Sequence, residues 1–271
     1  MIAPHGGTLI NRVVEGDERN SLLAKAAGLP VVSLNSRETS DLEMIAIGAM
    51  SPLAGFMNEA DYNGVVNNMH LASGVAWPLP VVLAPKDGEA VAAGSEVALV
   101  GEDGTVYGIM AVDSVYQPDK KKELTQCYAG DEEHPAWGYL ASTGATYIGG
   151  VITVANVPAY AKHNEYRLTP TQTRAAFAAK GWNTVVAFQT RNPIHRAHEY
   201  LTKVALEQTD GLLVHPLVGD TKSDDIPSDV RMECYHALLN KYYPLDRTML
   251  GVYPQAMRYG GPREAILHAL C

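Results

Sequence analysis

The sequence predicts a two-domain protein of mixed α+β and α/β class, with a β-rich domain over residues 1–165 followed by a parallel α/β domain over residues 166–271. Three observations carry this. Between Trp77 and Val157, short runs rich in β-branched residues alternate with turn signals, the pattern of a small barrel or sandwich. After about Thr171 the order becomes strand, helix, strand, helix, strand, helix, which argues for right-handed βαβ crossovers and a parallel sheet. At the first strand-to-helix turn of that second region, Gln189-Thr-Arg-Asn-Pro-Ile-His-Arg-Ala-His198 packs several polar groups into ten residues.

In chain order, residues 1–40 read as irregular with a short helix through Ser21–Ala27. Ser40-Asp41 is expected to cap a short helix at Leu42–Ala49, ended by Ser51-Pro52. Ser51-Pro-Leu-Ala-Gly-Phe-Met57 is an apolar turn, and Asn58 a cap for a helix to about Asn68. The expected strands are Pro80–Ala84, Glu96–Val100, Val106–Val115 and Thr146–Val154, set apart by turns such as Pro85-Lys-Asp-Gly88 and Gly101-Glu-Asp-Gly104. Asp119-Lys-Lys-Lys-Glu123 reads as solvated surface, and His134 and Trp137 fall in a loop-like stretch without an assigned role.

A boundary falls near Pro158–Thr171. Thr169-Pro170 opens a helix over Thr171–Lys180, with Gly181 as its stop. The parallel strands are expected at Thr184–Gln189, Gly211–Val218 and Arg247–Tyr253, and the helices at Arg196–Thr209, Ser228–Tyr243 and Pro262–Leu270. Leu201, Val204, Ala205 and Gln208 lie at helical spacing on the first of these. Three strands make a small sheet for this class, and the last helix is still apolar at Cys271, so the domain is expected to lack its C-terminal part.

Composition bounds the function. The 271 residues are 46% hydrophobic, enough for a large core. A net charge of −9 argues against a general nucleic-acid surface. Three widely spaced cysteines without a CxxC fit a reducing, cytoplasmic setting rather than a disulfide framework or zinc ribbon. The first residues lack the basic and apolar segments of a signal peptide, and no apolar run approaches the roughly 18 residues of a membrane span.

The chemistry is expected at residues 189–198. Ligands of open parallel sheets collect at the carboxyl ends of the strands, where helix N-termini present N–H groups and a positive dipole end. Asn192 suits an N-cap and Pro193 the first helical position. His195 and His198, three apart, point to one side of the first turn and suit phosphate oxygens whose charge grows during reaction. Arg191 can grip a tetrahedral oxyanion with two parallel hydrogen bonds, and Gln189 and Thr190 add neutral donors. No Ser or Cys is paired with a base, so direct attack of one oxyanion on a bound phosphate fits better than a covalent intermediate. No further ligand accompanies the histidines, so a protein metal site is not expected. Leu217–Pro227 and Met257–Glu264 follow the second and third strands. Lys222, Arg258 and Arg263, with Arg231, could make the crevice basic, and Gly260-Gly261 would allow close backbone approach to a ligand.

The ten-residue motif closely resembles the nucleotide-binding signature of the ATP sulfurylase family. Ser51–Met57, His215-Pro-Leu-Val-Gly-Asp-Thr-Lys222, Asp225-Ile-Pro227 and Met257-Arg-Tyr-Gly-Gly-Pro-Arg-Glu-Ala265 are similar to further family blocks, in the family's order. The resemblance implies a PUA-like β-rich barrel domain and a Rossmann-like adenylyltransferase domain. It implies that ATP, entering with Mg²⁺, and sulfate give adenosine 5′-phosphosulfate and pyrophosphate in a cytoplasmic, homo-oligomeric enzyme. Carried onto this chain, Gln189 and Arg191 would bind sulfate, and Gln189 through Asn192, with His195 and His198, would meet ATP. Thr190, Arg191, Asn192, His195 and His198 would be the catalytic group. The family's second loop, Gly-Arg-Asp-His-Ala-Gly, does not occur in these 271 residues. Two alternatives stand beside this reading: a related adenylyltransferase with another acceptor, and an inactive shortened form that only binds partners.

Overall fold

A computed structural model of the chain describes residues 2–219 and 226–271. The chain forms two compact units. One comprises Pro4–Pro158 with Arg258–Cys271, the other Ala159–Met257 with Met1–Ala3. The last fourteen residues, expected in the α/β domain, thus pack with the β-rich one.

The β-rich unit is built on a five-stranded sheet of order β1-β3-β4-β5-β2. Its strands are β1 (Val31–Leu34), β2 (Gly55–Phe56), β3 (Glu96–Gly101), β4 (Val106–Tyr116) and β5 (Tyr147–Val154). β1 runs parallel to β3 and the remaining pairs are antiparallel. The three longer strands match their expected places, because β-branched alternation between turns is a strong signal. β1, only four residues, falls in a stretch that reads as irregular. Pro80–Ala84 makes only an isolated bridge, Leu83 to Ile148, rather than a strand. β2 lies tight against β5: a Cβ on Gly55 would sit 1.8 Å from the Gly150 carbonyl oxygen, so only glycine fits there.

Helices α1 (Gly16–Ala26), α2 (Ser36–Ala46) and α3 (Glu59–Asn68) belong to this unit. α3 is capped by Asn58 as its sequence suggests. α2 begins earlier than Ser40-Asp41 implies, because Asn35 and Glu38 form a reciprocal capping box. Glu38 also accepts a hydrogen bond from the Ala84 N–H at 3.1 Å.

The charged run at 119–123 is solvated at Asp119, Lys121 and Lys122, as expected, but it opens a helix and Glu123 turns inward. Asp119 caps α4 (Lys120–Tyr128), whose inner face buries Glu123, Leu124, Cys127 and Tyr128. His134 caps α5 (Pro135–Ser142) through its ring. Charge density hides α4 because its buried residues recur only once per turn.

The second unit carries a three-stranded parallel sheet, β6-β7-β8, of Val185–Thr190, Gly211–Pro216 and Thr248–Leu250. Helix α6 (Pro170–Ala179) opens with a Thr169/Gln172 capping box. Helices α7 (Arg196–Leu206) and α8 (Ser228–Tyr242) connect the strands. Leu206, Leu212, Val214, Leu239 and Tyr243 form the main core, joined by Val186, Phe188 and Ile194. Arg247 donates to the carbonyls of Leu206, Thr209 and Asp210, a cation closing the C-terminal end of α7. The exposed residues of α7 differ from the expectation: Leu201 and Val204 face out, while Thr202 and Leu206 are buried. The apolar spacing is real, but it marks a face that none of the described residues covers.

The last helix, α9 (Gly261–Leu270), closes the β-rich unit. No helix among the described residues is long and apolar enough to cross a membrane, and Cys127, Cys234 and Cys271 are free thiols.

Candidate anion site at the β6–α7 junction

The motif sits at the carboxyl end of β6, as its sequence predicts. Register fixes its neighbours, since Gln189 pairs with His215 and Thr190 with Pro216. Beyond the strands, the Leu217 N–H donates to the Thr190 carbonyl at 2.8 Å and the Val218 N–H to the Tyr253 carbonyl at 2.8 Å. The carboxyl ends of all three strands are therefore joined side by side, as a ligand crevice of this fold requires. Gly219 belongs to this junction. A Cβ there would lie 2.1 Å from the Gln255 carbonyl oxygen, so the two loops can approach only because it is glycine.

Within the motif, the Thr190 hydroxyl makes a tight local turn. It accepts from the Asn192 N–H at 3.1 Å and donates to the Asn192 carbonyl at 3.0 Å. That carbonyl also accepts from the Tyr235 hydroxyl at 2.8 Å. Arg191, between the two turn residues, is half-buried, and Asn192 is exposed. Ile194 packs against both apolar clusters of the unit and anchors the loop from below.

The helix start corrects one expectation. Asn192 is not the N-cap and Pro193 is not the first helical residue. His195 is the cap, its Nδ1 accepting from the Ala197 N–H at 3.2 Å, and α7 begins at Arg196. Thr190 competes for Asn192 and holds it in the preceding turn, so the cap moves to His195 while the helix itself opens at Arg196 as expected and ends earlier, at Leu206. The cap has a chemical consequence: with Nδ1 accepting, the neutral ring carries its proton on Nε2, where it can donate outward.

His195 and His198 do lie together, their rings stacked with centroids 3.8 Å apart and planes at 28°. Phe188 of β6 backs His198 at 5.5 Å. The His198 Nδ1 is buried without a hydrogen-bond partner among the described residues. Two imidazoles at the N-terminal end of a helix, preceded by an arginine at a strand end, form an arrangement for phosphate or sulfate oxygens.

The other expected pocket residues divide. Lys222 lies outside the described residues. Arg231 is 3% exposed and donates to the Leu217 carbonyl at 2.7 Å and the Ile226 carbonyl at 2.9 Å, so it serves backbone rather than ligand.

Arg258 and Arg263 belong to the β-rich unit. Arg258 is buried against Asp41, with its Nη2 2.5 Å from a carboxylate oxygen. Burial alone would raise the Glu264 carboxyl, but His268 and the N–H groups of Arg258 and Gly260 together hold it below the ordinary range. Arg263 donates to the Val65, Val66 and Pro78 carbonyls, capping the end of α3. The close approach expected of Gly260 is to Leu79 rather than to a ligand.

Among the described residues no group of three or more His, Cys, Asp or Glu could hold a metal ion. Tyr235 carries no motif that sequence reasoning could single out. Its one local trace is its spacing from Arg231, one turn apart on α8.

Comparison with known proteins places the family. The ATP-sulfurylase family model matches residues 164–271 and a PUA-like domain model matches residues 2–157. A sulfate adenylyltransferase of Symbiobacterium thermophilum is 51% identical over 274 residues, which cover all of this chain and 70% of that protein. The chain belongs to the ATP-sulfurylase family. A sulfate adenylyltransferase of Acaryochloris marina is 50% identical, covering 99% of this chain and 70% of its own. A probable bifunctional SAT/APS kinase of Sorangium cellulosum is 53% identical, and the chain spans only 47% of it. Among solved structures, a hexameric APS kinase from Thiobacillus denitrificans matches all of this chain and half of its own, with a TM-score of 0.79 and 27% identity. The family architecture of a PUA-like domain followed by a Rossmann-like ATP-sulfurylase domain thus accounts for the whole chain.

Proposed function

We propose that the chain serves as a sulfate adenylyltransferase, joining ATP and sulfate to give adenosine 5′-phosphosulfate and pyrophosphate. The observation that carries this is the junction of β6 and α7, where Arg191 precedes a helix start bearing the stacked pair His195 and His198. Gln189 and Arg191 hold sulfate, Arg191 with the two-pronged grip suited to an oxyanion. Thr190 and Asn192 fix the turn that aims it. A sulfate oxygen attacks the α-phosphorus of MgATP in line, forming the new O–P bond as the bond to the β-phosphate oxygen breaks. Pyrophosphate leaves with that electron pair, and no proton need be transferred. The Nε2–H of His195, His198 and the N–H groups of the first turn hold the phosphates as charge moves onto the leaving group. Catalysis is then positioning and electrostatic stabilisation, without an enzyme-bound intermediate.

The test is sulfate-dependent exchange of labelled pyrophosphate into ATP. The expected result is exchange that needs sulfate and falls by about 100-fold in Arg191→Ala, in line with loss of one charged oxyanion donor. Exchange equal without sulfate would assign the chain to a different acceptor. We place the protein in the cytoplasm, in keeping with its free thiols. A homo-oligomer is part of the same reading. It is supported by the hexameric description of the structural relative and by the exposed Tyr200, Leu201 and Val204 on α7. Light scattering across a concentration series tests it, a mass above that of one chain being expected.

A further inference from the structure

We infer that Arg231 and Tyr235 are positioning residues of the candidate site, a brace on α8 that sets the chain leaving β6 against the chain leaving β7. The inference rests on the proposed function for its catalytic consequence, but not for its geometry. Both side chains are almost fully buried, 3% and 0% exposed, so neither is placed to touch substrate. One turn apart, they present to the same side of the helix.

Tyr235 reaches the loop after β6. Its hydroxyl donates to the Asn192 carbonyl at 2.8 Å, and the Thr190 hydroxyl fills that oxygen's second position. Arg231 reaches the loop after β7, where it donates to the Leu217 carbonyl, and its Nε donates to the Ile226 carbonyl. The two loops are themselves joined, through the Leu217 N–H on the Thr190 carbonyl. The result is a closed circuit: Tyr235 to Asn192, to Thr190, to Leu217, to Arg231, and back along one turn of α8. Met232 and Val252 pack around Tyr235 with Ile194 and Val218, one from each loop, so the circuit rests on a packed floor.

Such a circuit does what the site requires. Arg191 lies between Thr190 and Asn192, and its direction follows from that turn. A carbonyl accepting two hydroxyl donors cannot rotate without leaving one of them unpaired in a buried place. Arg231 uses its fixed fork of donors on two carbonyls at once, a role that lysine could not fill.

Tyr235→Phe removes one oxygen and keeps the packing, and Arg231→Lys keeps the charge but loses the fork. Native-state hydrogen exchange of the intact chain is read at Asn192 and its neighbours, alongside β7 amides and the melting temperature. Tyr235→Phe is expected to speed exchange at Asn192 by about 10-fold while β7 protection stays unchanged, the mark of a local opening. In the pyrophosphate–ATP assay, kcat is expected to fall about 10-fold in either variant with KM for ATP unchanged, because aim is lost rather than binding. Unchanged protection at Asn192 would overturn the brace. So would a uniform loss of protection across β7 with activity tracking the folded fraction, which is a stability role alone. If the unaltered chain shows no sulfate-dependent exchange, the proposed function fails, and the hydrogen-exchange comparison still decides the brace.

Discussion

His195 holds two duties at the residue scale, and substitution can separate them. Its ring caps α7 through Nδ1 and offers Nε2–H to a ligand. Asparagine caps helices well but has no imidazole, so His195→Asn should keep stability within about 0.5 kcal/mol while sulfate-dependent exchange falls at least 10-fold. His195→Ala should lose both. Thermal melts beside kinetics check this, and an active His195→Asn enzyme would remove His195 from the chemistry. Glu123 makes a different claim. Burial pushes its carboxyl up to about 7, against the pull of the Tyr62 hydroxyl at 2.9 Å. The folded state favours the neutral acid. Stability from this group is therefore complete below the ordinary carboxylate range near 4.5 and is lost as pH rises through about 7. At 1.36 kcal/mol per unit the loss is at most about 3 kcal/mol. Urea denaturation at pH 5 and pH 8 should show the β-rich unit weakening at the higher pH; Glu38, also pushed up to about 7 by burial, contributes in the same sense, so Glu123→Gln should reduce that dependence without abolishing it. A wild-type protein equally stable at both would show that Glu123 is ionised in the fold.

Strands and helices show which parts of the fold are legible in the sequence and which are not. β3, β4 and β5 are readable because alternation between turns is a local pattern, and β6 and β7 because each is a short apolar run, nearly all buried in central β7 and mostly half-buried in edge strand β6. β1 and α4 are not, since one is too short to show a period and the other hides its apolar residues within charge. α7 starts at Arg196 as expected, but its cap departs from the sequence pattern because a side-chain contact decides it: Thr190 takes Asn192, and His195 caps instead. The largest departure is α9. A strand–helix alternation assigns it to the parallel sheet, yet Arg258 and Arg263 fasten it within the β-rich unit, through partners such as Asp41 and Val65 that lie nearly 200 residues or more away in the chain and leave no local trace. A buried pair such as Arg258–Asp41 costs much to break, because the remaining charge has no water. Arg258→Met should destabilise that unit by about 3–5 kcal/mol, and adding Asp41→Leu should recover most of the loss. Urea curves followed by Trp77, buried in the same unit, measure both. A mild effect of the single change would mean that water reaches Asp41.

The whole molecule divides its labour between a β-rich unit that gathers in the last helix and a parallel-sheet unit that carries the proposed anion-binding junction. The chemistry proposed for the motif is read from its residues, because Gln189 through His198 place donors of the right kinds within ten positions. What the residue order does not reveal is the support beneath them: the turn closed by Thr190, the stacking of the two histidines, and the brace from α8. Family membership extends over the length of the chain, while the family's other loop does not occur in these 271 residues. The central claim is therefore that the β6–α7 junction holds the phosphates of ATP. Isothermal titration of the chain with MgATP tests it most directly, comparing the natural sequence with Arg191→Ala and His198→Ala at matched melting temperature. The account predicts one MgATP bound per chain, with affinity weakened about 10-fold or more in each variant, as expected for lost charge-assisted or ring N–H donors to phosphate. Absence of binding, or affinity unchanged by both substitutions, would contradict it.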